Sequence, residues 1–363
     1  MEKGTITLIV LCVIVISGIS GFLFFRNEIF FSTPSLEKCN ILKEGQNGAV
    51  NIVIFGQKED ANKYADYFLS SSPFKEYQED FSFSYIDSYT PKCEEYKGVA
   101  LLCHSRELIK KAGSCKYDYI VVLSSNNAEI RSSSYSNVMS LNTVHPLTVF
   151  LHEFGHSFAN FGEEYTPASL PRGVENCASS CETFGADADG CFKGCSRTDY
   201  YRSIEIGVMR SLETNEFGKF NTKLLGSLIE KNIGSKITGK VIQDIGCEDR
   251  SYFLIEARNS DRGLEIIKVT KERGCAPSIG NGKVTYTITT GNGEKIEGAR
   301  YSPDLIYTDA QGEGEIEGET FDSEENFFIP AEFVENAESV AISDGQTSDS
   351  QNIENTGDRP CQI

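Results

Sequence analysis

Two imidazoles four positions apart, with a carboxylate beside the first, stand out in His152-Glu153-Phe154-Gly155-His156. Four residues is close to one helical turn, so on a helix both rings share a face and reach one ion, with Glu153 projecting beside it. Zinc lowers the pKa of a water held there to about neutrality, and a nearby carboxylate takes its proton as it attacks a carbonyl. The expected chemistry is hydrolysis of a peptide bond, with Glu153 as catalytic base, His152 and His156 as metal ligands and one catalytic Zn2+ as cofactor. The chain has only 4 His, which makes chance placement a poor account of the motif.

The flanking residues argue for the helix. Pro146 suits a first helical position, and Leu147, Leu151, Phe154 and Phe158 form an apolar stripe that leaves the opposite side for metal. A catalytic zinc takes a third protein ligand, and Gly162-Glu163-Glu164-Tyr165 follows directly. Asn160 and Gly162 can adopt left-handed geometry, so the chain can turn and return a carboxylate; spacing leaves Glu163 and Glu164 both open. Tyr165, Tyr200, Tyr201 and Arg210 are candidate oxyanion donors by chain position. Pro146 separates His145 from the helix, so His145 is assigned to structure or to the rim. Asp187-Ala188-Asp189-Gly190 carries part of a calcium-loop pattern without the remaining ligands, so calcium is unsupported and a solvated turn is expected.

Residues 152–165, HEFGHSFANFGEEY, resemble the signature of the IgA-peptidase family of zinc metallopeptidases, family sixty-four. Ser72-Pro73-Phe74-Lys75-Glu76-Tyr77 with Phe81, and Gly207-Val208-Met209-Arg210, resemble further parts of that family, over about residues 50 to 225. The resemblance implies an extracellular endopeptidase of metzincin-like architecture, with Met209 as a Met-turn floor beneath the histidines. The family has Gly where this chain has Asn160 and Asp where it has Glu163. Glu164 matches literally, and the resemblance therefore favours Glu164 over Glu163 as third ligand.

The elements that must position this site are legible around it. Residues 49–55 (AVNIVIF) form a β-branched run, 61–69 read as a helix, 81–86 alternate as a strand, and 117–123 (YDYIVVL) form another. Residues 132–141 also alternate, and are expected to be an edge strand onto which an extended peptide substrate adds. From about residue 239 the pattern changes to short strands broken by Gly and Asn, at 252–257, 283–290 and 339–342. The expected fold is an α/β (α+β), metzincin-like zinc-peptidase domain at 40–235, then a β-rich, sandwich-like domain at 236–345 and a mobile acidic tail at 346–363. A single transmembrane helix at 5–25, acting as anchor or cleaved signal, precedes them.

Twelve cysteines, eleven of them beyond residue 25, point to disulfides and an oxidising compartment. Cys177, Cys181, Cys191 and Cys195 fit two antiparallel helical turns bridged by nested pairs, Cys177 with Cys195 and Cys181 with Cys191. A net charge of −19 excludes a nucleic-acid backbone as partner. The expectation is a membrane-tethered, extracytoplasmic peptidase acting on protein or peptide, secreted if the segment is cleaved. The alternatives are an adhesion or scaffold protein with a residual metal site and a zinc amidase acting on non-protein amides.

Overall fold

A computed structural model describes residues 36–47, 50–237, 246–260, 263–277, 282, 284–300, 306–308 and 326–353. Its centre is a seven-stranded sheet in the order 40–43, 81–86, 50–55, 119–124, 138–142, 133–135, 306–308. Four neighbouring strands, Phe81–Ile86, Val50–Phe55, Tyr119–Ser124 and Val138–Asn142, run parallel, and antiparallel strands close both edges. Parallel strands need covering on both faces, and alternation along Val50–Phe55 supplies both. Val50, Ile52 and Ile54 face the helices Lys58–Ser70, Thr148–Ala159 and Lys219–Ile237. Val53 and Phe55 face the helix Arg106–Ala112 and Tyr252 and Leu254 of the strand Ser251–Ser260.

That last strand is buried on both sides. Tyr252 and Leu254 pack toward the main sheet, while Phe253 and Ile255 join a second core with Tyr286, Ile288, Val340 and Ile342. This second core lies between a three-stranded sheet (263–273, 251–260, 326–332) and a four-stranded one (295–300, 284–290, 337–343, 348–352). The described residues form one compact unit.

These observations correct the expected fold. The described residues form a mixed α/β structure of several sheets and four α-helices, and a metzincin-like domain followed by a separate all-β domain is not what they show. The physical reason lies in the long-range pairings, since Ile306–Thr308 completes the N-terminal sheet and Ser251–Ser260 shares a core with each half. No helix among the described residues is long and apolar enough to cross a membrane, and the apolar run 5–25 lies outside them. Ser348–Asn352, assigned by sequence to the tail, pairs with Ala337–Ser343 as a strand, while residues 354–363 lie outside the described set.

The segment 132–141 is also corrected. It is a tight hairpin of Ser133–Tyr135 and Val138–Asn142, turned at Ser136 (φ 55°), with both strands buried. Ile306–Thr308 occupies the edge at which a peptide would have added.

Among the described residues five disulfides brace the structure: Cys39–Cys115, Cys93–Cys103, Cys177–Cys195, Cys181–Cys191 and Cys247–Cys275. Cys177–Cys195 and Cys181–Cys191 are nested as the spacing suggests. Short strands and a 3-10 segment carry them in place of helical turns.

Candidate metal centre

The helix Thr148–Ala159 begins two residues after Pro146, and eleven of its twelve residues are buried. It is covered all round, so the single stripe read from sequence understates its packing. Phe154 fixes one side, with ring centroids 4.9 Å from Phe68, 5.4 Å from Phe74 and 4.9 Å from Phe158. Phe74 and Phe81 of the family-like segment thus belong to the aromatic bed beneath the helix. On another side Met209 lies against Gly155, where an added Cβ would sit 2.6 Å from its sulfur. Only glycine admits that approach between the two histidines.

The helix stops at Asn160, which takes the left-handed conformation at φ 52° and ψ 37°. The Asn160 and Phe161 amides fold back onto the carbonyls of His156 and Gly155. This reversal brings the Phe161 carbonyl to His156 Nδ1 at 2.7 Å, and the Val208 carbonyl lies 2.8 Å from His152 Nδ1. A carbonyl can only accept, so each Nδ1 carries hydrogen and each Nε2 presents its lone pair. The two Nε2 atoms lie 3.1 Å apart. Glu163 adds its carboxylate, 3.1 Å from His156 Nε2 and 3.5 Å from His152 Nε2.

His152, His156 and Glu163 are therefore a buried group whose ligand atoms all lie within 4.8 Å of one another and could hold a metal ion. The fit follows from the donor set. Two imidazole lone pairs and a carboxylate packed this closely repel unless a cation lies among them, and the carbonyls behind the rings orient them for it. Without metal the cation is a proton. Burial works to lower the pKa of His152, but the Glu163 carboxylate, the Glu153 charge and the Val208 carbonyl outweigh it and hold it at about 10. Burial wins at His156, whose pKa is lowered with help from the His152 charge. Burial also opposes ionisation of Glu163, yet the two imidazoles hold it down at about 2.

Glu164, the residue favoured by the resemblance, is placed elsewhere. Its Oε1 accepts from Asn221 Nδ2 at 2.8 Å and Asn176 Nδ2 at 3.4 Å, and its amide donates to the Met209 carbonyl at 2.9 Å. Burial raises its pKa to about 7 against the pull of those amides and of Arg202. Glu153 is fully buried on the metal helix, and its charge acts on His152.

The other candidates are spread around this centre. Tyr165 is half-buried and its carbonyl accepts from the Ser196 amide at 3.0 Å; Arg210 sits in the turn after Met209. Tyr200 and Tyr201 lie on the strand Arg197–Arg202, where Tyr201 pairs with Ala178 and Lys193. His145 is buried, with ring nitrogens 3.5 Å from Ser132 Oγ and 3.2 Å from the Ala128 carbonyl, which is a structural role. Asp189 accepts from the Lys219 amide at 2.8 Å at the start of the helix Lys219–Ile237, so it serves as a helix-start acceptor.

Sequence reading missed Asn176 and Asn221. A signal existed for Asn221, because Asn221, Leu225, Ile229 and Asn232 recur at helical spacing and all are buried, placing two amides on a core face. No protein-family model matches the chain, and no curated protein matches it significantly.

Proposed function

We propose that this protein is an exported zinc metalloendopeptidase of the IgA-peptidase family that residues 152–165 resemble. The observation that carries the reading is the buried convergence of His152 Nε2, His156 Nε2 and the Glu163 carboxylate, with Glu153 on the same helix. When bound, zinc supplies Lewis-acid polarisation of the scissile carbonyl and a lowered pKa for the attacking water.

The chain's own residues do the rest. His152 and His156 are held by the Val208 and Phe161 carbonyls, so neither ring has to reorient to bind. Glu153 takes the proton of the attacking water on its carboxylate and passes it to the departing amine. A cleft of about 420 Å3 has Pro171 and Val174 in its wall, and both lie against Gly162, the residue before Glu163. Five disulfides support an oxidising, extracytoplasmic compartment, with the apolar run 5–25 as the export segment.

The test is to purify the protein, measure bound metal and assay a peptide library beside Glu153→Gln. Cleavage by the zinc-loaded wild type, lost in Glu153→Gln with zinc retained, is the expected result. Zinc-loaded protein that cleaves no peptide overturns the peptidase reading, and turnover of non-protein amides alone would make it an amidase.

A further inference from the structure

Two adjacent glutamates follow the metal helix, and the fold sends them to different partners. Glu163 reaches the histidines, while Glu164 enters a buried pocket formed by the Asn176 and Asn221 side-chain amides. A shift of the chain by one residue would present the wrong carboxylate to the metal.

We infer that Glu164 is a positioning residue for the metal centre: its carboxylate, held by Asn221 and Asn176, fixes the register that delivers Glu163. The inference rests on reading His152, His156 and Glu163 as metal ligands. Three observations converge on it. Asn176 grips the peptide next to the ligand from both sides, its Oδ1 accepting from the Gly162 amide at 2.7 Å and its Nδ2 donating to the Gly162 carbonyl at 2.9 Å. The Glu164 amide is tied to the Met209 carbonyl, next to the Val208 carbonyl that orients His152. Room for the carboxylate depends on Gly207, because a Cβ there would come within 3.1 Å of Glu164 Oε2.

The pocket therefore joins the loop after the metal helix, the segment bearing Asn176, the turn bearing Met209 and the helix Lys219–Ile237. A carboxylate is suited to this task because it only accepts, and both side chains aimed at it are amide donors. Withdrawing it toward the histidines would leave buried donors unmatched, which is the penalty that opposes the slip.

The test measures zinc affinity of the full chain by competition with a chromophoric chelator, so it does not depend on finding a substrate. Glu164→Ala and Asn221→Ala should each weaken zinc binding by about 10- to 100-fold, the usual range for outer-shell partners. Glu164→Gln keeps an amide oxygen for Asn221 and should stay within a few-fold of wild type. Glu164→Ala combined with Asn221→Ala should bind about as weakly as either alone, since both remove one interaction. If Glu164→Ala does not fold, Asn221→Ala and Glu164→Gln carry the comparison. Folded variants with wild-type zinc affinity, merely melting at lower temperature, would reduce Glu164 to a structural residue and overturn the inference. Wild-type protein that binds no zinc would overturn the metal-centre reading instead.

Discussion

Met209 touches the metal helix at Gly155, so closely that a Cβ on that glycine would lie 2.6 Å from the methionine sulfur. The contact falls between the two histidines. Gly155→Ala should gain helix propensity yet force Met209 aside, for a net loss of about 1–2 kcal/mol. Met209→Ala should cost about 2–4 kcal/mol through the cavity it leaves. The double variant should lose less than the sum of the two, because the new methyl partly fills that cavity. Denaturant unfolding of all four proteins reads this directly, and strict additivity would contradict the contact.

Glu163→Ala should remove a buried charge partner of both imidazoles and weaken zinc binding by on the order of 100- to 1,000-fold. The loss should exceed that of Glu164→Ala. An equal or smaller effect in the same chelator titration would return the ligand role to Glu164.

Metal binding should release protons with a predictable sign. In the metal-free pocket His152 is held protonated, its pKa raised to about 10, whereas the pKa of His156 is lowered and that of Glu163 is about 2. At pH 6 the incoming ion must displace close to one proton, so affinity should rise with pH and fall on acidification, about tenfold per unit. Calorimetry in buffers of different ionisation enthalpy counts the protons. A count near zero would mean that the imidazole pair is already neutral.

The disulfides should differ in weight. Cys39–Cys115 spans a sequence separation of 76 and Cys93–Cys103 one of 10. On chain entropy alone, removing the first should cost about 4.5 kcal/mol and the second about 2.7 kcal/mol. Paired Cys→Ala variants compared by equilibrium unfolding give the order, and a larger loss for the short loop would show that native-state contacts dominate.

What could be read in the sequence was local. The histidine spacing, the β-branched run 49–55 and the alternation at 81–86 each encode their geometry within one element, and the structure places those elements within a residue or two. The carboxylate that meets the histidines was not local. Asn176 and Asn221, 12 and 57 positions beyond Glu164, accommodate its carboxylate and leave Glu163 to face the histidines. The hairpin at 133–142 misled for the same reason, since alternation cannot show that residues 306–308 return to cover it. Asn137 is buried there with its side chain donating to the Asp118 carbonyl at 2.9 Å, so Asn137→Pro should cost soluble protein and leave KM untouched in whatever folds.

Ile306 opposite Tyr135 also sets an order of events. During synthesis the hairpin at 133–142 and the metal helix emerge long before residue 308, and until that strand arrives Ser133–Tyr135 offers open edge amides to any neighbouring chain. The nascent protein therefore passes through a period in which the half bearing the candidate metal centre is present but adhesive, and truncation before residue 306 should yield aggregate in place of a smaller soluble fragment.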